Sequence, residues 1–407
     1  MNTDNHKPLA VLAFSGGLDT SFCAVWLREQ GFRVHSVHVN TGGLDETAIQ
    51  AVEQRALQCG AEQHVSIDAR EDLFNSHLRF LLYANARRGA GYPLCVSSER
   101  LCQAMHVARH AKTHGADAIV HGSTGAGNDQ LRFDTVFQVM AAQCSLLTPV
   151  RELALSRAEE VDYLAQHGVE VDAATGKYSV NAGMWGLTVG GIETHSSWES
   201  LPAEAWPMQV CPDKPPVEIT LGFERGIPVS LNGEELAAVE IIEKLNEFGA
   251  SYGIGRGMHL GDTVLGIKGR VGYSAPAAHI LIEAHRELEK LTLSAAQQFW
   301  KESLGNLYGK MVHEGQALDP LCADLEALLE SSQKMVSGQV RILLRNDSLA
   351  VLGSRSPNSL MAIQPAAYGE QTSGWSGAEV AAHNRLHAMQ MQLCWQQKQK
   401  AVAGAEL

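Results

Sequence analysis

The sequence predicts an α/β fold: a parallel-sheet domain first, an α+β domain second and a single long helix at the C-terminus. Three observations carry this. An apolar, β-branched run at residues 9–14 ends in Ser15-Gly16-Gly17 and passes directly into a helical pattern. Strand-like and helix-like segments then alternate to about residue 165, the rhythm of βαβ units and hence of a parallel sheet. From about residue 170 the rhythm changes to hairpins and helices, and residues 375–400 form one helical stretch.

The elements follow in order. RVHSVHVNTGG (33–43) is a strand running into a Gly turn, and DETAIQAVEQRALQCGA (45–61) is an amphipathic helix closed by Gly60. EQHVSIDA (62–69) is a strand. ERLCQAMHVARHAKTHGA (99–116) is a second strong helix with Gly115 at its C-cap. DAIVHGSTGAGNDQ (117–130) is a strand entering another Gly-rich loop. In an open parallel sheet, ligands bind beyond the C-terminal strand ends. The loops after residues 14, 39 and 121 are therefore expected to face one cleft. In the second half, KYSVNAGMWGLTVGG (177–191) reads as turn-rich, and residues 192–216, with their Pro, Trp and Ser, as an irregular connection. VEITLGFERGIPVSLNG is a hairpin and LAAVEIIEKLNEFGASYG a helix. Residues 279–315 read as one long helical stretch, and a last hairpin turns at Asn346-Asp347. The boundaries expected are 1–168, 169–364 and 365–407. The terminal helix, with Leu386, Met389 and Leu393 on one stripe, reads as an oligomer clasp or as a helix packed on its own core, and the clasp is the expectation carried forward.

Composition excludes several classes. The 407 residues carry a net charge of −13, with 45% hydrophobic and 19% charged residues, so a soluble multidomain protein is expected. An acidic balance argues against nonspecific nucleic-acid binding. No apolar run approaches the ~20 residues of a membrane span. The N-terminus is polar and enters the first strand directly, without the pattern of a signal peptide. Eight scattered cysteines form no CxxC pair, which points to reduced thiols and a cytoplasmic enzyme, with neither zinc nor a disulfide framework indicated.

The chemistry is concentrated in VLAFSGGLDTS (11–21). A tight Gly turn at a helix N-terminus converges backbone N–H groups where the helix dipole favours a polyphosphate. The Lys-Ser/Thr of a Walker loop is absent. The pattern SGG-x-D-T-S is similar to the signature of the ATP pyrophosphatase (PP-loop) enzymes, which break ATP between the α and β phosphates. Further segments narrow the resemblance: YPLCVSSER (92–100), HGSTGAGNDQLRF (121–133), YSVNAGMWG (178–186), YGIGRG (252–257), GIKGRVGYSAP (266–276) and SRSPNSL (354–360). In this order they resemble the argininosuccinate synthase family along nearly the whole chain.

The resemblance implies an N-terminal domain of the ATP pyrophosphatase type followed by a synthetase domain. It implies ATP-dependent C–N ligation through a citrullyl-AMP intermediate, with ATP and Mg²⁺ as cofactors, citrulline and aspartate as substrates, and a homotetramer. Carried over by position, ATP contacts fall on Ala13, Phe14, Ser15, Gly16, Gly17, Leu18, Asp19, Thr20, Ser21, Val39, Asn40 and Gly122. Tyr92, Ser97, Arg132, Ser179, Thr188 and Tyr273 match citrulline contacts, and Thr124, Asn128 and Asp129 match aspartate contacts. Arg100 matches an arginine beside the aspartate and phosphate sites, and it joins Asp19 and Ser15 as the implied catalytic group.

Several positions depart from the family. Ala126 stands where a loop lysine is expected, and Asn181-Ala182-Gly183 replaces a segment with two carboxylates. Gly261 aligns with the glutamate that pairs with the amino end of citrulline, and Asp262 is the nearest acid to take its place. Two acceptors therefore stay open at this point: citrulline, or another ureido compound such as a citrulline with a capped α-amine.

Overall fold

The computed structural model describes residues 7–170, 177–369 and 374–404. The start of the polar N-terminal segment, residues 1–6, lies outside them. Two compact units are present, residues 1–358 and 359–407.

In the larger unit the first sheet is wholly parallel, in the order β3-β2-β1-β4-β5. Its strands are β1 (Leu9–Ala13), β2 (Arg33–Asn40), β3 (Gln63–Asp68), β4 (Ala118–Val120) and β5 (Ser145–Leu147). Alternate residues of β1 enter different cores. Leu9 and Val11 pack with Leu101, Met105 and Ala108 on one face, and Ala10 and Leu12 with Phe22, Val25 and Val52 on the other. Both faces are thus covered at the centre of the sheet, which explains why β1 and β4 read as continuous apolar runs. At ~25 cal/mol per Å² of apolar surface removed from water, the two cores fix the sheet firmly. The sheet in turn fixes the loops at its C-terminal edge.

Two antiparallel sheets follow. One has the order β11-β12-β7-β6, from β6 (Ser179–Gly183), β7 (Gly186–Gly190), β11 (Arg256–Asp262) and β12 (Lys268–Ser274). The other runs β10-β9-β8-β13-β14, from β8 (Val217–Glu224), β9 (Ile227–Leu231), β10 (Glu234–Glu235), β13 (Gly338–Arg345) and β14 (Ser348–Arg355). The segment read as turn-rich is a hairpin in which Ser179 pairs with Gly190 and Gly183 with Gly186. Its glycines reflect close approach: a Cβ on Gly183 would collide with the Glu99 carboxylate, and one on Gly186 would lie 2.7 Å from Ala275 Cβ. The long helical stretch is two helices, Pro276–Thr292 and Ala295–His313. They are divided at Ser294, whose hydroxyl caps Gln297 N while Gln297 caps Ser294 N. Asp347 takes φ +56° at the last hairpin turn, as Asn and Asp tolerate there.

The smaller unit carries the Gly377–Gly404 helix. Leu386, Met389, Met391, Leu393 and Trp395 are all more than half exposed, and they are spread around the helix rather than gathered on one face. Among the described residues no helix is long and apolar enough to cross a membrane. All eight cysteines are free thiols.

Candidate active site

One cavity of about 890 Å³ lies beyond the C-terminal ends of β1, β2 and β4. Its floor is the loop after β1. Gly16 has φ +78°, a left-handed conformation that favours glycine, and a Cβ there would meet Val52 Cγ2 at 3.1 Å. The turn is tied by side chains: Ser15 Oγ and Thr20 Oγ1 are 3.3 Å apart, and the Thr20 hydroxyl donates to Gly17 O at 3.2 Å. The Leu18–Glu29 helix starts at Gly17, so its free N–H groups open onto the cavity. The loop after β4 packs closely against it at Gly122, where a Cβ would lie a tight 3.2 Å from Asp19 C.

Asp19 faces Glu160, a buried residue of the Arg157–Gln166 helix that hydrogen-bonds the Asp19 carboxylate. Burial and then the charge of Asp19 push the Glu160 carboxyl up to about 7. Its Oε2 is buried with no hydrogen-bond partner. Two carboxyl groups side by side next to a phosphate-type loop form a donor set suited to a hard divalent cation. Arg157 and Arg55 line the same cavity and supply positive charge that position 126 lacks.

The Ser97–Thr113 and Asp129–Met140 helices deliver the polar centre. Arg132 Nη1 donates to Asp129 Oδ1 at 2.7 Å and Arg100 Nε to Asp129 Oδ2 at 3.1 Å. Burial pushes the Asp129 carboxyl up, but the two guanidiniums outweigh it and hold the group below its ordinary value. Arg132 is almost wholly buried, and its other N–H groups reach His313 O and Ser97 Oγ. Burial, then Arg132 and Arg88, press His313 down to about 3, so it is a neutral imidazole at physiological pH. Arg100 Nη2 donates to Asn181 Oδ1 at 2.8 Å, tying the first sheet's helix to β6. Asn128 makes a second tie, accepting from Val264 N at 2.9 Å.

Most expected residues share this cavity. Ala13, Phe14, Ser15, Gly16, Gly17, Leu18, Asp19, Thr20, Val39 and Gly122 line it, as do Tyr92, Arg100, Thr124, Asn128, Asp129, Arg132, Ser179, Thr188 and Asp262. Four stand behind the lining. Ser21 is buried within its helix, and Asn40 caps the following turn through a bond from Gly42 N. Ser97 supports Arg132, and Tyr273 packs edge-on against Tyr92 at 5.3 Å. Asp262 borders the cavity, but its carboxylate binds Lys268 Nζ at 2.7 Å. The direction a side chain at Gly261 would take is held by His259, whose Nε2 lies 2.6 Å from a Cβ built there. His259 stacks on Tyr92 at 4.8 Å, and burial and Arg88 depress its pKa. His259, His313, Arg88 and Glu160 belong to no signature segment. They become visible only when distant elements meet.

Comparison with known proteins gives the family. The Arginosuccinate synthase N-terminal HUP domain matches residues 9–170, and the Arginosuccinate synthase C-terminal domain matches residues 178–394. An argininosuccinate synthase of Methanocaldococcus jannaschii is 35% identical over 395 residues, 96% of this chain and 99% of the relative. That of Xylella fastidiosa is 36% identical over 392 residues, covering 93% and 95%. That of Pyrobaculum aerophilum is 36% identical over 370 residues, covering 90% and 92%. With both of its domains matched and its relatives aligned from end to end, the chain belongs to the argininosuccinate synthase family.

Proposed function

We propose that this chain is a C–N ligase that joins citrulline and aspartate at the expense of ATP, giving argininosuccinate, AMP and pyrophosphate. The observation that carries the reading is the convergence of the Ser15–Ser21 loop, the Asp129–Arg132–Arg100 cluster and Thr188 of β7 on one cavity. The citrulline ureido oxygen attacks the α-phosphorus. The bond from that phosphorus to the bridging oxygen breaks, and pyrophosphate leaves with its electron pair. The aspartate amine then attacks the ureido carbon, AMP departs, and the amine loses a proton.

The residues divide accordingly. The amides at Ser15, Gly16 and Gly17 and the hydroxyls of Ser15 and Thr20 face the charge that grows on the departing pyrophosphate. Such preorganised donors are the largest single source of rate in reactions of this kind. Asp19, with Glu160 beside it, would hold Mg²⁺, which supplies electrostatic stabilisation of the phosphates. Val39 and Asn40 would border the adenine. Thr124, Asn128 and Asp129 would take aspartate. Arg132, supported by Ser97, Tyr92 and Tyr273, would take the citrulline carboxylate, with Ser179 and Thr188 closing from the second domain. With Asp262 bound to Lys268, the His259 imidazole, which lines the same cavity, would accept from the citrulline ammonium.

The domain limits are read as 1–168, 169–364 and 365–407, with the C-terminal helix joining protomers of a homotetramer and the enzyme acting in the cytoplasm. The test of the ligation is pyrophosphate release with ATP, aspartate and a panel of ureido compounds. Release that requires both citrulline and aspartate supports it. Release with another acceptor and not with citrulline refutes it.

A further inference from the structure

The opposite end of the first sheet carries a second cluster. His35 lies near the start of β2, and His110 and His114 are four residues apart at the C-terminal end of the Ser97–Thr113 helix. One ring nitrogen of each lies within 4.8 Å of one from each of the others. At 1.5 Å per residue, His114 is about 20 Å along the helix from Arg100, well away from the cavity.

We propose that His35, His110 and His114 form a binding site for a first-row transition metal ion of the Zn²⁺ type. Two imidazoles four residues apart, His110 in the last turn and His114 at the cap, with a third from another element, are a ligand set that suits such an ion once the His114 ring, now stacked on His110 at 4.0 Å, turns its lone pair inward. Three features beyond proximity support it. His35 is 95% buried by its 5% exposure, and its Nδ1 has no hydrogen-bond partner. His110 Nε2 is likewise buried without a partner. His114 Nδ1 lies 2.9 Å from His110 O, so that nitrogen carries the proton and donates, leaving the lone pair on Nε2. A backbone carbonyl on the non-ligating nitrogen is the usual means of fixing a metal-binding tautomer.

The electrostatics agree. Burial, followed by the neighbouring imidazoles, presses His110 down to about 4, and burial and His114 lower His35. The C-terminal end of a 17-residue helix contributes partial negative charge where the cation would sit. On a tetrahedral ion with Zn–N bonds of 2.0–2.1 Å, ligand nitrogens are about 3.4 Å apart. The exposed His114 side chain has room to close the remaining distance, and the fourth position is left to water. The other cluster, Asp72, Cys102 and His106, is by contrast internally paired, with His106 Nε2 on Asp72 Oδ2 at 2.8 Å.

The test uses untagged, chelator-treated full-length protein and Zn²⁺ or Co²⁺ alone. Equilibrium dialysis should show one tight equivalent of Zn²⁺, and Co²⁺ should give the visible bands of a nitrogen-bound tetrahedral ion. His114→Ala, an exposed position, should weaken Zn²⁺ binding at least 100-fold and abolish the bands, while His106→Ala leaves both intact. His110→Gln provides a second removal of one ligand. Zn²⁺ binding that survives in both His114→Ala and His110→Gln, or no tight equivalent in the wild type, overturns the assignment.

Discussion

Asp129 and Arg132 sit one helical turn apart, with Arg132 Nη1 donating to Asp129 Oδ1 at 2.7 Å, and Arg100 holds the second carboxylate oxygen. The carboxylate is thus ionised and aimed before any substrate enters. Asp129→Asn keeps the shape and removes the charge that would face the aspartate ammonium. We expect KM for aspartate to rise at least 10-fold, with a smaller change for ATP. The variant should also unfold at a lower temperature, because the buried Arg132 loses its counter-charge. Steady-state kinetics with each substrate varied in turn checks this. Loss of ATP affinity with unchanged aspartate KM would place the loop on the wrong ligand.

Asp19→Ala should cut turnover by about 100-fold or more, since loss of one preorganised electrostatic contact costs ~2.7–4 kcal/mol of transition-state stabilisation. The fold should survive, because Asp19 lines an open cavity. Near wild-type pyrophosphate release from this variant would remove the loop from the chemistry.

Glu160 makes the fold sensitive to pH. Its folded pKa, about 7, lies above the ordinary 4.5, so the folded state binds its proton more tightly than the unfolded state. That contribution is fully present below about 4.5 and is lost as the pH rises to about 7. Glu160→Gln, which cannot ionise, should be more stable than wild type at pH 8. The gap should narrow steadily on lowering the pH through that window. Thermal midpoints of both proteins from pH 4.5 to 8 test it, and parallel curves would contradict it.

His259 and Asp262 make opposite predictions for the acceptor. Because Asp262 is held by Lys268, Asp262→Ala should change citrulline KM less than about threefold. His259→Ala removes the stack on Tyr92 and the neutral acceptor, and should raise that KM at least 10-fold. Gly261→Glu should be harmful alone, since its Cβ meets His259 Nε2, and should recover part of the loss when combined with His259→Ala. A large effect of Asp262→Ala alone would return the ammonium to that carboxylate.

Removing residues from Gly377 onward takes away the exposed Leu386, Met389, Leu393 and Trp395. If these side chains join protomers, the shortened chain should show a lower mass by size exclusion with light scattering. An unchanged mass would separate the helix from assembly.

The parts of the fold that were legible in the sequence were those set by local rules. The first sheet was legible because β1 is an uninterrupted apolar run, β2 carries a valine at every second or third position, and both end in glycine turns, and Gly16 and Gly60 keep the left-handed φ their positions imply. The phosphate-type loop was legible because its chemistry is contiguous, residues 15–21. The hairpin β6–β7 was not, since its glycines serve contacts with Glu99 and Ala275, far away in sequence. The break at Ser294 was hidden because both flanking segments are strong helix formers, and only the cap divides them. Glu160 is silent in the sequence for the same reason as His259 and His313. Each reaches the cavity from an element that carries no signature, and its role follows from what it meets there.

The central claim is that the citrulline oxygen attacks the α-phosphorus in this cavity. Citrulline labelled with ¹⁸O in its ureido group, incubated with ATP and aspartate, tests that bond directly by mass spectrometry of the products. One labelled oxygen is expected in AMP and none in pyrophosphate, with the rate of transfer falling about 100-fold in Asp19→Ala. Unlabelled AMP, or label in the pyrophosphate, would contradict it.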